Sequence, residues 1–68
     1  MMDETETPLE TIELPYGRQV ALKAVAYESG LRLLRMTFRE NRRFTVIDID
    51  PETAGNFAEI LAGWSQEN

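Results

Sequence analysis

The three residues Asp50-Pro51-Glu52 constrain this chain more than any others, because they turn a strand directly into a helix. Arg43 to Ile49 alternates in the manner of a strand running through Ile47 and Ile49, and Asp50 follows as a helix N-cap. Pro51 occupies the first helical position, where its missing N–H costs nothing, and Glu52 sits where the helix dipole favours an anion. From there Ala54, Phe57, Ala58, Leu61 and Trp64 recur at helical spacing and predict a stripe lying on an apolar sheet face, with Ile60 at its margin. Gly55 and Gly63 each weaken the helix by roughly 1 kcal/mol against alanine, so docking must sustain it.

Upstream, Arg18–Tyr27 and Leu31–Glu40 read as two strands around Glu28-Ser29-Gly30, a three-residue loop with the glycine last. Setting Tyr27 opposite Leu31 places Val20 across from Phe38, Leu22 from Met36 and Ala24 from Leu34, so one side is wholly apolar. A second loop at Asn41-Arg42 pairs Glu40 with Arg43, Phe38 with Thr45, Met36 with Ile47, Leu34 with Ile49 and Arg35 with Asp48. Leu9–Leu14 alternates as a short first edge strand, and Leu14-Pro15-Tyr16-Gly17 has the proline and glycine positions of a type I turn, its tyrosine packing over that strand. The predicted fold is α+β: an antiparallel meander of three to four strands, then one C-terminal helix packed on one sheet face. Residues 1–8 are expected as a disordered acidic tail, 9–65 as a single small domain and 66–68 as a frayed end.

At 68 residues such a domain lies near the lower limit for folding on one core, so a second chain is a natural completion. With no cysteine there is no disulfide or thiolate site, and with no histidine the usual general base and commonest metal ligand are both missing. Ser29 and Ser65 therefore lack a partner to activate them, and the chain is expected to be no enzyme and to carry no cofactor. Asp48 and Asp50 could face one cation, but an ion pair with Arg35 and the N-cap role account for both, so no metal site is expected. No signal-like or membrane-spanning run is present, which predicts a soluble cytoplasmic protein with no membrane contact.

The net charge of −5 is segregated: all seven cations fall within residues 18–43, between two acidic ends. The face opposite the predicted helix carries Lys23, Tyr27, Arg35, Arg39 and Phe44 by alternation, with Arg42 in the adjoining loop. About half of that face is apolar, so it calls for a covering. One reading is a non-catalytic binding module working as a homodimer, through the open faces or through a helix seam at Ile60 and Trp64; a different protein partner is a variant of it. The other is single-stranded DNA or RNA, with Lys23, Arg35, Arg39 and Arg42 meeting phosphates while Tyr27 and Phe44 stack on bases.

Hairpin strands, a strand ending in Ile49-Asp50-Pro51-Glu52 and an apolar helix with Phe57 and Leu61 make residues 18–64 resemble the single-stranded-DNA-binding transcriptional coactivators of the positive cofactor four family. The resemblance implies a curved four-stranded sheet, a C-terminal helix, a dimer formed largely through helices, and nucleic acid on the sheet face opposite the helix. The lysine-rich region of that family has no counterpart here.

Overall fold

Two tight turns set the register of the sheet. In the computed structural model, which describes residues 4–67, the Tyr27 N–H donates to the Leu31 carbonyl at 2.9 Å and the Gly30 N–H to the Tyr27 carbonyl at 2.9 Å. Gly30 takes a φ of 100°, the left-handed conformation this closure needs and that glycine adopts without a Cβ clash. Asn41, at φ 58°, serves the second turn. The strands that result are β2 (Arg18–Tyr27), β3 (Arg32–Glu40) and β4 (Arg43–Ile49), and every pair anticipated above is present, from Val20–Phe38 to Arg35–Asp48. A helix, α1 (Pro51–Ser65), follows β4 directly, and the Asp50 carboxylate accepts from the Thr53 N–H at 3.3 Å as its N-cap.

The first strand, β1, is longer than the alternation of Leu9–Leu14 suggested. It spans Glu4–Leu14 and pairs with β2 along its whole length, from Leu14 opposite Arg18 to Glu4 opposite Tyr27. The stretch expected as a tail over residues 1–8 is therefore sheet from Glu4 onward, and its first three residues lie outside the described range. A bulge between Pro8 and Glu10 leaves Leu9 unpaired. Pro8 fits because β1 is an edge strand, where a missing N–H breaks no ladder to a further neighbour. The sheet order is β1-β2-β3-β4, giving the β-β-β-β-α, α+β architecture.

The turn at Pro15–Gly17 also differs from expectation. Pro15–Gly17 is a short 3-10 turn joining Leu14 to Arg18, and Tyr16 has a φ of 67°, where the type I form needs a negative φ at that position. Tyr16 is 90% exposed and does not pack over β1; the Arg18 guanidinium lies 5.8 Å from its ring centre.

The α1 helix packs on the face that carries Val20, Leu22, Ala24, Leu34, Met36 and Phe38, here the helix-side face. Pro51 and Ala54 close a cleft of about 310 Å³ with Leu9, Ala24 and Leu34. The contact is confined to the start of the helix. Phe57 is 48% exposed, Leu61 62%, Ile60 70% and Trp64 74%, so the stripe expected to close the core climbs away from the sheet. The helix projects, and the molecule measures 48 × 30 × 15 Å. Beyond Ser65 the chain stays tied to the helix end, the Gln66 and Glu67 N–H groups donating to the Ala62 and Trp64 carbonyls, while Asn68 lies outside the described range. Among the described residues no helix is long and apolar enough to cross a membrane.

Among the described residues the buried apolar side chains are Val20 on the helix-side face and Val25 on the far face. Val25 is 1% exposed, between Glu6 and Leu33 in register. Val25→Ala should lower stability by about 2 kcal/mol. Gly63→Ala, where an added Cβ meets nothing, should raise it by up to about 1 kcal/mol; urea denaturation followed by circular dichroism measures both.

Candidate functional site

The far face of the sheet is organised around Arg35. In the β2–β3 register Arg35 stands directly opposite Lys23, a like-charge pair that by itself opposes strand pairing. Carboxylates on both sides reverse the sign. Asp48 on β4 holds the guanidinium through two parallel bonds, Nε to Oδ1 at 2.9 Å and Nη2 to Oδ2 at 3.0 Å. From β1, Glu6 accepts from Arg35 Nη1 at 3.0 Å and from Lys23 Nζ at 3.3 Å, and Glu4 lies 3.7 Å from the same Arg35 nitrogen. One chain of charges thus crosses all four strands. Glu4 and Glu6 are on this face because of the bulge at Leu9: strict alternation would put them on the same side as Ile12 and Leu14, and one extra residue rephases the strand.

The anticipated binding residues separate into three groups. Lys23 and Arg35 lie at the centre, engaged by carboxylates of their own chain. Arg39, Arg42 and Phe44 gather at the β3–β4 turn, where Arg39 is paired in register with Phe44 and all three are exposed. Tyr27 is half-buried at the opposite end of β2, roughly 25 Å along the strands from Phe44. The two aromatic side chains therefore do not form one stacking platform, and the charge chain lies between them. The seam residues Ile60 and Trp64 sit on the projecting part of α1, both exposed. Among the described residues no group of three or more potential metal ligands forms a cation site.

The sequence reading missed Glu4 and Glu6. The available signal was local: two glutamates alternating with threonines, opposite in charge to the strand two places along the sheet. Using it required the bulge, which no residue near Leu9 announces.

Hydrogen bonding to Arg35 holds the Asp48 carboxyl below its ordinary range, and hydrogen bonding from Thr53 does the same for Asp50. Arg35 is pushed upward in turn, first by its bonds to Asp48. Both carboxyls bind protons less readily folded than unfolded, so their stabilising effect is complete above the ordinary carboxylate values near pH 4 and is lost as pH falls through the depressed folded values. Urea midpoints measured between neutral pH and pH 2.5 should show that loss, and Arg35→Gln should be less stable at neutral pH with a flatter acid limb.

No curated protein and no solved structure matches the chain. A family model does match, across residues 3–67, and the chain belongs to that family of unknown function, DUF6967.

Proposed function

We propose that this protein is a non-catalytic interaction module that works as a homodimer. The observation that carries the proposal is the apolar surface left open by one copy. The chain exposes 5785 Å². A compact monomer of 7.8 kDa exposes about 4,400 Å². The radius of gyration, 13.9 Å, likewise exceeds the roughly 11 Å of a compact domain of this length. The excess of about 1,400 Å² per chain reflects the projecting helix and the single-layer sheet. The open surface is also of the right kind, since Phe57, Ile60, Leu61 and Trp64 form one continuous apolar strip without a charge.

Sedimentation velocity at micromolar concentration should give particles of two chains. Leu61→Glu, which would bury a carboxylate in the interface, should weaken association by about 100-fold while leaving the sheet folded. A well-folded monomer up to about 100 μM would overturn the proposal.

A second reading rests on the cluster at the β3–β4 turn. Arg39, Arg42 and Phe44 are exposed together there, and among the described residues neither arginine is held by a carboxylate. That is the chemistry for a short single-stranded nucleic acid, phosphates against the guanidinium groups and one base against the ring. Titration of a labelled oligonucleotide at low salt tests it. Binding that weakens in Arg39→Ala and Arg42→Ala supports this reading, and no binding at about 50 μM removes it.

A further inference from the structure

Resting on the homodimer reading, we infer where the two chains join: the outer edge of β4 in one copy pairs antiparallel with the outer edge of β4 in a second copy, so that two four-stranded sheets become one. Within one copy that edge is uncovered. Every residue from Arg43 to Asp48 is exposed, and β3 is the only neighbour β4 has in the sheet. An edge strand presents a row of outward N–H and C=O groups, to which another strand can add. The side chains suit such an addition. Phe44 and Val46 on the far face are 62% and 56% exposed, and Ile47 on the helix-side face is 44% exposed. Aromatic and β-branched residues of this kind stabilise a sheet when they face one another across strands.

Charge selects the partner and its direction. Arg42 and Arg43 stand at the start of β4, and Asp48 and Asp50 at its end. Antiparallel pairing centred on Val46 brings the basic end of each copy alongside the acidic end of the other, with Val46 facing itself on the two-fold axis and Arg42 opposite Asp50. These charges are available. Neither Arg42 nor Arg43 has a carboxylate partner among the described residues, and Asp50 caps α1 through Oδ1 alone. The β1 edge is no substitute. It carries Glu4, Glu6, Glu10 and Glu13 without a lysine or arginine, so two such edges repel, and Pro8 with the bulge interrupts its row of donors. The join therefore uses one edge per copy and stops at two chains, with β1 at both outer rims. Its axis stands perpendicular to the sheet, so both α1 helices rise from the same face.

Val46 is exposed, so a charge placed there should leave the single copy folded, which far-UV circular dichroism checks. In the full-length protein, Val46→Lys and Val46→Glu should each raise the dimer Kd by about tenfold or more, because like charges then face one another across the axis. Mixed in equal amounts, the two variants should associate again, lysine against glutamate, and sedimentation velocity reads all three samples. Because the chain has no cysteine, Val46→Cys supplies a second measurement: on oxidation it should form the homodisulfide across the axis. A wild-type dimer that either charged variant leaves unchanged, or that mixing fails to restore, overturns the β4 join and leaves the homodimer standing. Absence of the Val46→Cys disulfide does the same. A monomeric wild-type protein overturns both.

Discussion

Arg35 is the crosspiece of the sheet. Without its carboxylate partners, Lys23 and Arg35 would repel one another across the central strand pair; with them, the same two cations bind β1 and β4 to the middle of the sheet. The network is half-exposed, so it contributes alignment more than energy, but alignment is what a single-layer sheet lacks. It also settles the character of the far face. Its central cations are engaged by carboxylates of their own chain, and its exposed apolar side chains lie at the two ends, Leu31 beside the β2–β3 turn and Phe44 and Val46 on β4.

The other face explains why so small a chain has so open a shape. A domain of this size has only one layer of sheet and one helix with which to exclude water, and here the helix leaves the sheet after its first turn. Val20 and Val25 then sit on opposite sides of the same layer rather than in a common interior. Under the proposed homodimer, a second copy would supply apolar contacts that an interior otherwise supplies, and apparent stability would rise with concentration.

The hairpins and the helix start were legible because each is set by local chemistry. Gly30 and Asn41 specify their turns, and Asp50 with Pro51 specifies the cap; once the turns are placed, side-chain period fixes every pair from Val20–Phe38 to Arg35–Asp48. What was not legible depends on distant groups. Glu4–Pro8 has the composition of a tail and is strand, its backbone paired to β2 and its glutamates engaged by Lys23 and Arg35. The bulge at Leu9 carries no glycine, so nothing in the sequence marks the change of phase. The helical stripe was expected to close the core and instead stands exposed at Phe57, Leu61 and Trp64, because periodicity states which side of a helix is apolar and not what covers it.

The bulge also has a bearing on the two rims of the sheet. At the β1 rim, Pro8 removes a donor and Leu9 breaks the ladder, so that edge is a poor template for another strand. The β4 rim has no such guard: Arg43–Ile49 contains no proline and no irregularity, and Phe44, Val46 and Ile47 stand exposed along it. Only the charges of Arg43 and Asp48 interrupt it. Edge-to-edge aggregation should therefore begin at β4.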